Sequence, residues 1–274
     1  MSKRIADLIP DIEKVLTEGK SEVNAKRLSE AAVEVGMSMK KQLVTEERDP
    51  RPEKTLYASE IGKPCRRELW HRIHKPEAAG VMHGNAKFKF MYGDVIESII
   101  MWLAEEAGHD VVGRQDAYEL EVGRGWKVRG RIDGIIDGVL LDVKSAAPAA
   151  MKKFKDGMND KNDAFGYRKQ LSFYSQADKE RTGESKQAGF LAIDKSNGAM
   201  ILDIRREYSA KQELIPLSDL ERLEETIESP WERLKPSSSG ALQLGCRYCA
   251  FIHTCWPNAR EEMRGKYLTV VTGE

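Results

Sequence analysis

The stretch Val128–Ala146, VRGRIDGIIDGVLLDVKSA, decides how the chain folds. Two apolar-rich runs flank Asp137-Gly138, a dipeptide favoured in two-residue hairpin turns, so the segment predicts a β-hairpin. With the turn there, Ile136 faces Val139, and the register places Asp133 opposite Asp142 and Arg131 opposite Lys144. Side chains alternate along a strand, so Asp142 and Lys144 share one face while Leu141 and Val143 take the other. Directly opposed residues have Cβ atoms about 5 Å apart, where two carboxylates repel each other and invite a divalent cation. A solvated charged face on an edge hairpin would look much the same from D-x-K alone. Paired carboxylates with a lysine two residues on, beside an apolar strand face, favour metal-dependent phosphodiester chemistry.

Outside this hairpin the composition sets bounds. The chain has 274 residues, enough to bury a sizeable core, with 44 Lys+Arg against 44 Asp+Glu. A nucleic-acid surface must then be a local patch. No apolar run approaches a membrane span and Met1-Ser2-Lys3-Arg4 leads into no signal-peptide core, so no membrane contact and a cytoplasmic protein are expected. In that compartment the four cysteines are expected as ligands rather than disulfides.

Upstream of the hairpin, Ile5, Leu8, Ile9, Ile12, Val15 and Leu16 mark an amphipathic helix ending near Gly19, and Glu22–Val44 predicts a second. Residues 1–50 read as an accessory helical segment or a surface for a protein partner. Glu46–Glu53, with two prolines, predicts a linker. Around Cys65 and Trp70, Lys63, Arg66, Arg67, Arg72 and Lys75 form a basic patch. It reads either as a groove following a phosphate backbone or as a solvated helix face with one core tryptophan. Met91–Gly108 predicts a helix introduced by Gly93, with Ile96, Ile99, Ile100, Leu103 and Ala107 buried. Glu97 then falls at the edge of that stripe and Asp94 faces water. Val111–Val122 predicts a strand kinked at Gly113.

Downstream, Ala147–Asp163 reads as a flap or long loop, and Ala164–Thr182 as a helix with Gln170 and Tyr174 on one face. Ala188–Asp194 and Ala199–Arg206 predict a strand pair, Lys211–Glu228 a helix, and Pro230–Gly240 a linker. Cys246, Cys249 and Cys255 follow as C-x₂-C-x₅-C; with Cys65 they make four soft ligands, for a structural zinc or an iron–sulfur cluster. Zinc usually takes two local pairs, and the one-plus-three split here favours a cluster.

In order, the chain reads G-x₃-E (Gly93 to Glu97), G-R-I-D (Gly130 to Asp133), D-V-K (Asp142 to Lys144) and Q-x₃-Y (Gln170 to Tyr174). This series resembles the RecB-like branch of the PD-(D/E)XK nuclease superfamily. With Cys65 before Arg66-Arg67 and the C-x₂-C-x₅-C tail, it is similar to that branch's iron–sulfur exonucleases of CRISPR adaptation, recombination complexes and phages. Many relatives carry histidine where this chain has Glu97. The resemblance implies an α/β (α+β) restriction-endonuclease-like fold, a mixed central sheet flanked by helices, with a nuclease core over 55–235 and an iron–sulfur segment over 240–260. It implies a DNA exonuclease acting on ends or single strands, in which Glu97, Asp133, Asp142 and the carbonyl of Val143 hold Mg²⁺ or Mn²⁺. Lys144 would assist the attacking water, and Gln170, Tyr174, Arg66 and Arg67 would contact DNA. Cys65, Cys246, Cys249 and Cys255 would hold a [4Fe–4S] cluster that closes a loop of about 180 residues, constraining the unfolded chain. Two other readings stay open: a catalytically silent DNA-binding adaptor, and a zinc-stapled endonuclease specific for RNA or for DNA structure.

Overall fold

Asp137 and Gly138 both adopt positive φ (48° and 79°), the backbone of a type I′ turn. The expected register holds beside it: Ile136 pairs with Val139, Ile135 with Leu140 and Gly134 with Leu141. These are β5 (Gly134–Ile136) and β6 (Val139–Ala146). The structure is a computed structural model that describes residues 3–44, 50–81, 84–264 and 267–272. Residues 46–49 of the expected linker lie outside the described residues.

The hairpin's first arm is shorter than its sequence suggests. Its N-terminal half, β4 (Trp126–Arg131), leaves the ladder and joins a second sheet. There it lies parallel to β1 (Thr55–Tyr57) and antiparallel to β3 (Ala117–Gly123). Arg131 therefore pairs with Ala117, not Lys144, and Asp133 sits at the break between sheets instead of opposite Asp142. The neighbouring run breaks at the matching place. Gly113 (φ 65°) and Gln115 (φ 56°) turn the chain between β2 (Val111–Val112), which pairs with β5, and β3. One paired ribbon thus divides into two sheets, and the gap opens beside the second half of β6.

β6 continues in the large mixed sheet, β2-β5-β6-β7-β8, parallel to β7 (Ala188–Asp194), which pairs with β8 (Met200–Ile204). Its alternation separates two cores. Leu141 and Val143 pack with Leu8, Ile12, Ile100 and Leu103, whereas Leu140 and Ala146 join Phe154, Phe173 and Phe190 on the opposite face. The first core is covered by α1 (Leu8–Glu18) and α5 (Gly84–Glu106), with α2 (Ala25–Leu43) lying along α5. The second contains residues of α3 (Ala58–Ile61), α4 (Arg66–His74), α6 (Pro148–Asp156) and α7 (Tyr167–Thr182).

Several local expectations need correction. The helix of Glu97 begins at Gly84; Gly93 lies inside it, where a Cβ would sit 3.2 Å from Ser145 Oγ, so this glycine permits close packing on β6. Ile99 is 41 % exposed, and Met101 and Ala104 are buried in its place. The expected flap contains α6, because Pro148 suits a first helical turn and Met151 and Phe154, three apart, both reach the core. The helix expected over Lys211–Glu228 is only α8 (Leu217–Arg222): Pro216 caps it, while Leu214 and Ile215 enter the core outside it. Behind α8, α9 (Leu244–Arg247) and α10 (Ile252–Cys255) carry the cysteine run. A hairpin of β9 (Ala259–Arg264) and β10 (Tyr267–Thr272) follows, without an equivalent in the expected elements. Among the described residues no helix is long and apolar enough to cross a membrane.

Candidate active site

Three acidic side chains arrive at the gap between the sheets by different routes. Asp142 and Lys144 stand on the same face of β6, with Lys144 Nζ 2.5 Å from Asp142 Oδ2. Asp142 Oδ2 is buried against the ammonium, and among the described residues it has no well-angled hydrogen-bond donor. Asp133, leaving β4, accepts the N–H of Val143 at 2.6 Å. Glu97 comes from α5, its Oε1 accepting from Gln115 Nε2 at 2.6 Å.

The split ladder explains why this strand can carry a site. Odd-numbered residues of β6 turn their peptide groups toward β5, as the opposite direction of Leu140 N–H, onto Gln187 O, requires. β5 ends opposite Leu141, so Val143 has no strand partner on that side. Its N–H goes to Asp133, and its carbonyl points into the same gap.

Electrostatics set the cluster apart: burial and neighbouring charges disfavour the ionised form of each carboxylate. Burial, reinforced by Asp142 and Glu97, pushes the Asp133 carboxyl well above its ordinary range. Burial raises Asp142 too, against the pull of Lys144. Glu97 is raised to about 7 by burial and by Asp142 and Asp94, with Lys144 opposing. Burial draws the Lys144 ammonium down, but Asp142, Asp133 and Tyr167 hold it above its usual value. Among the described residues no three Asp, Glu, His or Cys side chains converge tightly enough to hold one metal ion. The reason is visible in their partners: Lys144, the Val143 amide and Gln115 each hold a different carboxylate. The oxygen donors and the orphaned Asp142 Oδ2 nevertheless fit a hard divalent cation, which would relieve their mutual repulsion.

The sign of the pH dependence follows. An acid whose pKa is raised on folding makes the folded state bind more protons than the unfolded one, so stability falls as pH climbs through that window. In chelator, melting temperature is expected to drop as pH rises from 4.5, the ordinary value for Glu97, to about 7. Added Mg²⁺ or Mn²⁺ should reduce that drop. A pH profile with the same slope with and without the metals would contradict a shared site.

Sequence reasoning missed two neighbours. The Lys144 ammonium lies 4.8 Å from the centre of the Tyr167 ring, a cation–π contact. Asp163 accepts from the N–H groups of Tyr167 and Arg168, and its charge also raises Asp142. The signal for Tyr167 was available: Tyr167, Gln170 and Tyr174 are spaced i, i+3, i+7 on one helix face. Gln170 Nε2 donates to Tyr174 OH at 3.3 Å, and Tyr174 is buried. A Cβ on Gly130 would lie 2.9 Å from the Tyr174 ring, which explains the glycine before Arg131.

The basic patch is committed within the fold. Arg66 bonds Asp219 Oδ2 (3.0 Å) and Ile61 O (2.7 Å), and Arg67 bonds Trp231 O (2.7 Å). Lys63 and Arg72 meet Glu68, Lys75 lies over the Trp70 ring, and Trp70 itself is core. Here Arg66 and Arg67 anchor α4 instead of offering a free cationic groove. Cys65, at the N-cap of α4, Cys246, Cys249 and Cys255 line one cavity with Arg67, Glu68 and Phe251. Burial, aided by neighbouring thiols and Glu68, pushes Cys246 up to about 11 and Cys249 up to about 12. His71 on α4 stacks on Phe251 at 5.3 Å, tying the two ends of the chain together beside that cavity.

Comparison with known proteins bears on the whole arrangement. Among curated proteins, none matches the sequence. A solved structure titled "Crystal structure of SSO0001" aligns with a TM-score of 0.48 at 15 % identity, over 82 % of this chain and 94 % of that one. The model of the PD-(D/E)XK nuclease superfamily matches residues 33–256. That match takes in Glu97, Asp133, Asp142, Lys144 and all four cysteines on a fold whose mixed sheet ends at the same acidic gap, and the chain belongs to the PD-(D/E)XK nuclease superfamily.

Proposed function

We propose that this protein is a metal-dependent DNA exonuclease acting on ends or single strands, stapled by a [4Fe–4S] cluster. The observation that carries the reading is the pairing of buried Asp142 with half-buried Lys144, on a strand whose next peptide group faces a gap lined by Asp133. Mg²⁺ or Mn²⁺ bound by Asp133, Asp142, Glu97 and the Val143 carbonyl would supply Lewis acidity at a phosphate and a hydroxide at neutral pH. Lys144, kept charged by its carboxylates and steadied by Tyr167, is placed to orient water and to offset charge growing on the phosphate oxygens. Gln170 presents its amide beside this centre; Tyr174 is too buried to meet DNA broadly and acts by fixing Gln170.

Incubation of end-labelled linear and circular single strands with Mn²⁺ tests the reading. Loss of the linear strand alone is expected. Cutting of circles would make the enzyme an endonuclease, and no cutting of either would favour the silent adaptor.

For the cysteines, four soft ligands lining one cavity suit a cluster. Three of the ligands are local and one is distant, a split that favours a cluster over a zinc held by two local pairs. Anaerobically purified protein should contain iron and acid-labile sulfide in equal amounts, and Cys249→Ala should lose both and melt at a lower temperature. Stoichiometric zinc without sulfide would overturn the cluster, and an unchanged melting temperature would overturn its role as a staple.

A further inference from the structure

The first three turns of α5 have no part in the chemistry above. From Gly84 to Gly93 the sequence is GNAKFKFMYG, with two lysines, three aromatic residues and no acid. This half of the helix stands clear of the core: Phe88 is 63 % exposed, Phe90 52 % and Tyr92 40 %. Apolar rings displayed so openly need a partner to cover them, and their setting in positive charge calls for an anionic one.

Helical geometry sets Phe90 apart from Phe88 and Tyr92, which are four residues apart and share the opposite face. Phe90 precedes Glu97 by seven residues, about two turns, so both lie within about 20° of one direction and about 10 Å apart along the axis. Gly93, which packs against Ser145 one residue beyond Lys144, lies between them on the same stripe. Phe88 points to the opposite side of the helix, and Tyr92 leans toward Lys195 O at the end of β7. Lys87 is three residues from Phe90 on the stripe's flank. Lys41 of α2 reaches that flank too, 3.0 Å from Asp94, and neutralises the nearest carboxylate. Lys87 and Lys89 have no ion-pair partner among the described residues.

We propose that Phe90, with Lys87 and Lys41 beside it, is a stacking subsite for a base of single-stranded DNA next to the scissile phosphate. This inference rests on the nuclease reading above and adds to it the means by which the strand is gripped. Every base has a π-face, so one exposed ring holds an unpaired strand without reading its sequence, while a lysine follows the phosphates. In a duplex the bases are stacked inside and cannot meet Phe90. The subsite therefore selects for unpaired ends.

The test is fluorescence anisotropy of a labelled oligothymidylate with the full-length protein in EDTA, where nothing is cut. Phe90→Ala should weaken binding about five- to a hundredfold, and Phe90→Trp should restore it. Phe88→Ala, on the opposite face and equally exposed, should bind as wild type, and none of these changes should alter blunt-duplex binding. Lys87→Gln should reduce the slope of log affinity against log salt by about 0.7. Unchanged affinity in Phe90→Ala, or an equal loss in Phe88→Ala, overturns the subsite. So does a Phe90→Ala protein that binds DNA normally but dissociates on sedimentation, which would make this face a contact between copies of the chain. Cleavage of the same oligonucleotide by wild type with Mn²⁺ is read separately. Strand binding through Phe90 without cleavage sinks the nuclease reading alone; cleavage unaffected by Phe90→Ala, with unaffected binding, sinks the subsite alone.

Discussion

Asp142→Ala is expected to reduce DNA cleavage about a thousandfold or more, while binding of the same DNA in EDTA stays within a few fold of wild type. In the proposed mechanism the carboxylate would supply a metal oxygen and fix Lys144, and loss of about 4 kcal/mol of transition-state stabilisation corresponds to that factor. Binding should survive because Asp142 is 1 % exposed and presents almost nothing for the phosphodiester backbone to touch. The substitution also leaves Lys144 part-buried, with Asp133 as the remaining carboxylate raising it. Its melting temperature should therefore be recorded alongside, to show that inactivity is not unfolding. A folded Asp142→Ala protein that still cuts would move the chemistry away from β6 altogether.

Gly166→Ala is expected to be the most damaging single methyl in the molecule. Gly166 and Gly62 lie backbone against backbone where the loop before α4 crosses the start of α7. A Cβ on either would fall within the other's main chain. Gly166 also has φ +76°, which alanine adopts at a cost of about 1 kcal/mol. Overpacking against a main chain that cannot swing aside adds about 3 kcal/mol, so about 4 kcal/mol of stability should be lost. Chemical denaturation of wild type and variant checks this, and a loss under about 1 kcal/mol would mean that the crossing can open freely. Cleavage should fall too, because Gly166 immediately precedes Tyr167, whose ring backs Lys144.

These two positions also show what can be read without coordinates. Asp142 and Lys144 were legible because a two-residue Asp-Gly turn fixes register, and register fixes faces; β6 needed nothing else. Asp133 was legible as an acid near Asp142 but not in its geometry. No strand pattern announces that one arm of a hairpin will change sheets, and here Gly113, twenty residues upstream, has to turn as well. Gly62 and Gly166 were opaque for a simpler reason: a contact between residues a hundred apart leaves no periodicity. Arg66 and Arg67 misled because charge in a sequence does not reveal its partner, and Asp219 and the Trp231 carbonyl arrive from more than 150 residues away. Glu97 was placed correctly on its helix although the helix start was wrong, since a hydrophobic stripe gives rotation far better than it gives ends.

The packing of α1 against the central hairpin has a bearing on how this protein can be cut and recombined, and His109 joins the two. Its buried ring meets Asp137, in the hairpin turn, at 2.6 Å through Nδ1, and Asp11 of α1 at 3.3 Å through Nε2. Leu8 and Ile12 of the same helix press on the core beneath Val143. The superfamily match begins at residue 33, so a fragment trimmed to it would lack the helix that packs behind β6. The border of the family match and the border of the packed core differ in this chain, and chimaeras or shortened versions built from it should respect the second.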